Sequence, residues 1–153
     1  MGKTRFLKSK VLANGLGYVN AQGEEAEGEA LLNVRKRFTR AQVNAGAVVI
    51  KGIEGAKIRL VDLALATEGG APDTEDITIE SKQSNSGVAL ATFAHADLGD
   101  NDYAHLFDGD TTLLNEGASL VANDEGADVT IESDDVDTVD NVDIIATYVL
   151  EPA

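Results

Sequence analysis

The chain contains no cysteine and no tryptophan, and it has only two prolines among its 153 residues. The missing cysteines exclude disulfides, thiolate metal ligands and cysteine nucleophiles. Aromatic residues make up 5%, which leaves little material for a sugar-binding platform or for stacking on bases. No apolar run approaches the roughly 20 residues that a membrane-spanning helix needs, so we expect no membrane partner.

Positive charge is missing from the second half of the chain. All 12 Lys and Arg residues lie at or before Lys82, together with 11 of the 27 Asp and Glu. The remaining 16 carboxylates follow Lys82 without a single cation. This acidity repels phosphates, so we expect no nucleic-acid partner. An acidic surface that maintains solubility in a saline host explains the acidic body but not the basic start, whereas a contact between the basic start and an acidic neighbour is the second interpretation.

From Ala47 onward the sequence is typical of β-strands. Short apolar or alternating runs recur about every ten positions, with turn residues such as Gly69 and Gly126 between them. Residues 95–107 could form a loop or hold one short helix or strand. The pattern predicts an all-β sandwich or barrel. Its predicted strands are 47–50, 57–65, 76–80, 88–93, 118–122, 128–132 and 142–150.

The predicted strands supply a predicted core. Its members are apolar side chains of these strands, with one tyrosine near the end of the last strand. They are Val49, Ile58, Leu60, Leu63, Ile77, Ile79, Leu90, Leu120, Val129, Ile131, Ile144 and Tyr148.

Residues 1–46 are predicted to form an extended N-terminal arm, followed by a β-sandwich domain over 47–153. The stretch 20–29 is rich in Gly, Ala and Glu and lacks an apolar face, which is typical of a linker. Basic clusters flank it, and either solvated turns or contacts with an acidic protein surface explain them. In the second case the contact candidates are Lys3, Arg5, Phe6, Leu7, Lys8, Lys10, Arg35, Lys36, Arg37 and Arg40.

Candidate chemistry is sparse, and we expect neither an enzyme nor a cofactor. The only histidines are His95 and His105, both expected in solvated loops, and there is no Gly-x-Ser-x-Gly elbow or phosphate-binding glycine motif. Aspartates in 97–110 and 134–143 could offer oxygens to calcium, but neither run fits an EF-hand loop and chance clustering explains both. A carboxylate pair for glycoside hydrolysis stays open.

Four segments carry recognisable motifs: FTRAQVNAG at 38–46, IRLVD at 58–62, LNEGASL at 114–120 and VDIIATYV at 142–149. They resemble a family of small structural proteins of tailed bacteriophages, over about residues 38–150. The resemblance implies a jelly-roll-like antiparallel β-sandwich of about eight strands. It also implies a decoration, or cement, protein on the outer surface of the virion capsid. Such a protein binds the major capsid protein as a homotrimer and stabilises the assembled head shell.

Two other classes of protein remain open. A receptor- or carbohydrate-binding sandwich of a phage tail or fibre should have an aromatic-lined pocket, for which the chain offers Tyr18, Tyr103, Tyr148 and scattered Phe. A small β-sandwich enzyme of the cupin type needs a histidine-rich metal motif, which the sequence lacks.

Overall fold

The computed structural model describes residues 10–12, 15–19, 25–28, 31–69, 74–95, 98, 103–105, 112–114 and 121–153. The first three ranges form a small antiparallel sheet of β1 (Lys10–Leu12), β2 (Gly15–Val19) and β3 (Glu25–Gly28). A single short helix, α1 (Arg40–Asn44), occurs in the described ranges, and no helix in them could cross a membrane.

Nine further strands form two antiparallel sheets. The four-stranded sheet has the order β4-β12-β6-β9, and the five-stranded sheet has the order β10-β8-β7-β11-β5. The bounds of these strands are β4 (Leu32–Thr39), β5 (Ala47–Ile50), β6 (Ala56–Glu68), β7 (Ile77–Gln83), β8 (Ser86–Phe93), β9 (Tyr103–His105), β10 (Thr112–Leu114), β11 (Val129–Glu132) and β12 (Asn141–Pro152).

The strand pairs are nested along the chain. β4 pairs with β12, β5 with β11, β6 with β9, and β7 with β8, all antiparallel. A chain doubled back in this way and rolled over its apolar face produces the two facing sheets of a jelly roll. β10 adds one strand at the edge, beside β8. The predicted all-β sandwich is therefore confirmed.

The core lies between the two sheets. All predicted core residues are buried except Tyr148, which packs half-buried against the core, and Leu120, which lies outside the described residues. Phe38 and Val43 also belong to this core, although both fall within the predicted arm.

Strand β6 changes its inward-facing positions half-way along. Leu60 and Leu63, three positions apart, both face the core. The register with β12 shifts between Thr147 and Tyr148, which leaves Val61 as an extra residue in a β-bulge. The sequence alternation is imperfect there for this reason.

The predicted boundary between arm and sandwich, at residues 46 and 47, is wrong. β4 pairs with β12 along its whole length, from Leu32 opposite Tyr148 to Thr39 opposite Asn141. Phe38 of β4 is only 6% exposed. The sandwich therefore begins near residue 32, and residues 10–12, 15–19 and 25–28 pair with one another instead of lying singly extended.

Two smaller predictions also need correction. Val121 and Ala122 were predicted to end a strand over 118–122 but lie in irregular structure, and residues 118–120 lie outside the described part. His105 lies in β9 and not in a loop. The range 95–107, left open by the sequence, holds this short strand.

The motif at 38–46 builds the corner between the two sheets. The backbone N–H of Thr39 donates to Gln42 Oε1 at 2.9 Å at the start of α1, and Val43 is fully buried. The side-chain Nδ2 of Asn44 donates to the Val136 carbonyl at 3.1 Å, and Asn44 Oδ1 accepts the Val136 N–H at 3.0 Å. This side chain therefore fixes the loop before β12 against the start of the sandwich.

The segment 123–128, here called the clasp, holds the opposite end together. Asn123 is buried, and its Oδ1 accepts the Ile58 N–H at 2.6 Å while its Nδ2 donates to Ser81 Oγ at 2.9 Å and to the Ala127 carbonyl at 2.8 Å. These bonds join the clasp to both sheets, because Ile58 lies in β6 and Ser81 in β7.

The carboxylates of the clasp bind the backbone of nearby turns. Asp124 accepts the N–H groups of Ser84 and Asn85 at 2.9 and 2.7 Å, in the turn between β7 and β8. Glu125 Oε1 accepts the Gly55 N–H at 2.8 Å. Charged acceptors make strong bonds to backbone donors, so the clasp holds both turns against one segment.

Candidate functional site

An open groove of about 520 Å³ on the outer face of the five-stranded sheet is the main concavity of interest. It lies over β7 and β11, where Thr78 and Glu80 of one strand stand beside Glu132 of the other. Its remaining walls come from the segments around the ends of these strands. They are Thr74, Glu75, Asp76, His95, Ser133 and Asp134.

A hydrogen-bonded group closes one end of this acidic groove. Asp76 precedes β7, whereas His95 follows β8 and Ser133 follows β11; antiparallel pairing therefore brings all three together. Asp76 Oδ1 accepts the His95 backbone N–H at 2.8 Å and lies 2.9 Å from His95 Nδ1. These bonds hold the pKa of Asp76 below its usual value. Ser133 Oγ donates to the Asp76 carbonyl at 2.9 Å.

Two glutamates face each other diagonally on the floor of the acidic groove. Glu80 stands opposite Thr130, and Glu132 stands opposite Thr78. Partial burial raises the pKa of Glu80, and the neighbouring charge of Glu132 raises it further. Thr130 Oγ1 donates to Glu132 Oε1 at 3.3 Å.

A second groove, of about 400 Å³, continues from the first and shares Glu80 and Glu132 with it. Lys51 Nζ lies 2.7 Å from Asp128 Oδ2, and the Gly52 N–H donates to Asp128 Oδ1 at 2.7 Å. The hydrogen bond from Lys51, followed by that from Gly52, lowers the pKa of Asp128. This groove therefore contains both signs of charge, unlike the acidic groove.

The acidic groove is suited to attracting cationic groups. Among the described residues, its lining contains no Phe, Tyr or Trp, so the aromatic walls expected of a sugar-binding pocket are not found there. Ser133 donates to a backbone carbonyl, which does not activate a nucleophile. Within the part of the chain that the structure describes, no group of three or more His, Asp or Glu could hold a metal ion.

The ten contact candidates of the predicted arm fall into three sets. Lys3, Arg5, Phe6, Leu7 and Lys8 lie outside the described residues, and Lys10 begins β1. The other four belong to the sandwich. Lys36 Nζ donates to the Val48 carbonyl at 2.9 Å, and Arg40 donates to the Asp137 carbonyl.

Arg35 and Arg37 lie on the outer face of the four-stranded sheet and bind carboxylates there. Arg37 Nε and Nη2 donate to the two oxygens of Asp143 at 2.9 and 2.8 Å, and its Nη1 lies 2.9 Å from Glu68. Arg35 Nη2 lies 3.6 Å from Asp143. The hydrogen bond from Arg37 lowers the pKa of Asp143, and the same bond raises the pKa of Arg37.

Exposed apolar side chains lie on the same outer face. Ile145 of β12 pairs with Arg35 of β4 on one side and with Ala64 of β6 on the other, and its side chain is 43% exposed. Val61, the extra residue of the β-bulge in β6, is 38% exposed. Leu31, directly before β4, is 59% exposed. The outer faces of the two sheets therefore differ: one combines arginines with exposed apolar groups, and the other contains the acidic groove.

The aspartates of the run 134–143 do not converge. Asp143 lies in β12 and binds Arg37, whereas Asp135 Oδ1 lies 3.4 Å from Asn44 Nδ2. Asp140 donates its backbone N–H to the Glu68 carbonyl at 2.9 Å. The run at 97–110 lies outside the described residues apart from Leu98 and β9.

Sequence reasoning missed the acidic groove. Glu80 and Glu132 occur in separate strands and meet only because β7 pairs with β11. The alternation of Ile77, Ile79 and Ile131 with polar residues was the available signal, since it placed Thr78, Glu80 and Glu132 on the outward face.

No family model, no curated protein and no solved structure matches this chain.

Proposed function

We propose that this chain is a non-enzymatic structural protein of a tailed-phage virion. In this proposal it is a decoration, or cement, protein that binds the major capsid protein on the outer surface of the head and stabilises the assembled shell as a homotrimer. A protein that binds only the assembled shell stabilises it by mass action, without a catalytic centre. The observation that carries the proposal is the difference between the outer faces of a clasped jelly roll.

The segments that resemble phage structural proteins serve as parts of one scaffold. Residues 38–46 end β4 and form α1, residues 58–62 lie in β6, and residues 142–149 lie in β12. β12 pairs with β4 on one side and with β6 on the other, so the three segments meet in the four-stranded sheet. The motif at 114–120 lies outside the described part after Leu114. The resemblance therefore concerns fold-forming residues, as expected for a family united by architecture.

The difference between the faces fits a protein that lies on a surface. Exposed Leu31, Val61 and Ile145 give the four-stranded sheet an apolar component, with Arg35 and Arg37 beside it. Apolar groups and arginine are enriched at protein interfaces, and on this face Asp143 and Glu68 neutralise the two arginines. We therefore assign the four-stranded face to the shell or to neighbouring copies, and the acidic groove to the solvent side.

The test is binding to undecorated head shells assembled from the major capsid protein of the phage that encodes this chain. We expect the protein to co-sediment with shells but not with free capsid subunits, and to raise the temperature at which the shells break apart. Light scattering should give three times the chain mass of 16.0 kDa. Absence of binding to shells would overturn the proposed function, whereas a monomer that binds would overturn only the trimer.

A carbohydrate-binding sandwich of a tail or fibre is the second candidate: the acidic groove lacks the aromatic walls of a typical sugar site, but it is open and its carboxylates can accept hydrogen bonds from sugar hydroxyls. Jelly rolls also serve as lectin domains. If the protein binds carbohydrate through this groove, Glu80→Gln should abolish binding to a glycan array while leaving the fold intact. Retention of shell binding by the same variant would favour the decoration role.

A further inference from the structure

One side of the sandwich ends in two neighbouring edge strands. Within the described residues, β4 pairs only with β12, and β5 pairs only with β11. The two edges belong to different sheets and are consecutive in the chain, joined through α1. An edge strand presents unpaired backbone groups to which a strand of another molecule can bind. β5 is rich in β-branched residues, with the sequence AVVI, and so offers a favourable template for such pairing.

Lys36 occupies an unusual place at this edge. Along β4 the outward positions are exposed, while Leu32, Val34, Lys36 and Phe38 form the inward-facing column. Lys36 is the only charged member of that column, and it is half-buried. Its Nζ crosses from β4 to the other sheet and donates to the Val48 carbonyl of β5 at 2.9 Å.

We infer that Lys36 keeps the β5 edge closed to a strand from a second copy of this chain. The ammonium group binds the Val48 carbonyl, a backbone acceptor of the edge strand, so a strand that docked at this position would have to displace or accommodate it. A strand that displaced it would leave the charge of Lys36 without its acceptor at the mouth of the core, which is unfavourable. Inward-facing charges on edge strands are a known means of preventing pairing between sheets.

The experiment compares Lys36→Met with the wild type over a wide concentration range by sedimentation or light scattering. Methionine keeps the length and the apolar stem but removes the charge and the donor. We expect species of about twice the wild-type mass that increase with concentration, together with slower amide exchange at Val48 and Val49. Lys36→Arg, which keeps a cationic donor, should behave as the wild type. Lys82→Met removes a cation from an exposed position on β7 and serves as the matched control.

The possible results distinguish a Lys36 that blocks strand docking at β5 from a Lys36 that only fills space in the core. If Lys36 only fills space, Lys36→Met should fold at least as stably as the wild type and keep its mass at every concentration. That result would overturn the inference, and so would association of Lys82→Met to the same extent. Failure of Lys36→Met to fold, judged by circular dichroism, would also contradict it, because the inference gives the charge no part in holding the core.

Discussion

Individual carboxylates in this protein change the stability of the fold with pH in opposite directions, because the groups beside them differ. Asp143 receives two hydrogen bonds from Arg37, so its pKa in the folded state lies below the ordinary value of 3.8. Glu80 is partly buried near Glu132, so its pKa lies above the ordinary value of 4.5. Ionisation of Asp143 therefore favours folding, whereas ionisation of Glu80 opposes it.

Replacing Asp143 by Asn should lower the free energy of unfolding at neutral pH. The contribution of a carboxylate with a lowered pKa is present above its unfolded value and is lost as pH falls through the folded value. The deficit of Asp143→Asn should therefore shrink as pH drops below about 4. Urea unfolding at several pH values measures it. Glu68→Gln, which removes the more exposed partner of Arg37, should change stability by no more than about 1 kcal/mol.

Replacing Glu80 by Gln should have the opposite effect. A raised pKa destabilises the folded state once pH exceeds the folded value, and it has no effect where the group is protonated in both states. Glu80→Gln should therefore be more stable than the wild type at pH 7 and equal to it at about pH 3. The same unfolding series tests this, and a loss of stability at pH 7 would show that Glu80 has a favourable partner.

A fully buried apolar side chain stabilises the fold through packing. Ile79 is fully buried in β7 between the sheets, so Ile79→Ala should cost about 2–5 kcal/mol in unfolding free energy. The matched control is Ile145→Ala, since the same side chain on β12 is 43% exposed. We expect a loss there of no more than about 1 kcal/mol. Equal losses at the two positions would contradict the assigned faces of the sheets.

At the scale of elements, the strands that the sequence predicted best are those with uninterrupted patterns. β5 was predicted at its full length and β11 to within one residue, because β-branched residues fill their inward positions. β4 was missed because Lys36 interrupts its apolar column and stands within Arg35-Lys36-Arg37, which resembles a solvated cluster. The acidic groove was missed because it depends on strand pairing, which no local pattern encodes.

The clasp gives a prediction for a whole element. Asn123→Ala would remove the partner of the Ile58 N–H and of the Ala127 carbonyl, whereas Ser81 Oγ would keep its bond to the Asp128 carbonyl. Each unsatisfied buried group costs about 1–3 kcal/mol, so the loss should exceed that of most single hydrogen bonds. Thermal unfolding measures the loss, and amide exchange at Ile58 should accelerate. Asn33→Ala, which removes one exposed acceptor of Thr147, provides the comparison.

At the scale of the whole molecule, the start of the sandwich near residue 32 decides where the chain can be shortened without loss of folding. Starting the protein at Leu31 should leave the sandwich folded, because β4 and all its pairs remain. Starting it at residue 41 should prevent folding, because β12 then loses β4 and the core loses Phe38. Circular dichroism and cooperative unfolding test both. A cooperatively folded chain beginning at residue 41 would show that β4 is dispensable.

The shortened protein also tests the N-terminal residues in the proposed function. If Lys3, Arg5, Lys8 and Lys10 contribute to shell binding, the chain starting at Leu31 should occupy shells less fully than the intact chain. A full-length variant with these four residues replaced by Gln separates charge from length. Binding through charge should weaken with salt. Equal occupancy by all three proteins would assign attachment to the sandwich alone.

The nested pairing also sets an order of events during synthesis. β7 and β8 are close in the chain and can pair as soon as both have been made, whereas Arg37 must wait for Asp143, 106 positions later. β12 occupies the middle of the four-stranded sheet, so β4 and β6 have no common neighbour until it emerges. Long-range pairs of this kind form slowly. A growing chain therefore leaves the backbone edges of β4 and β6 unpaired until β12 emerges, and during this interval it is most vulnerable to aggregation.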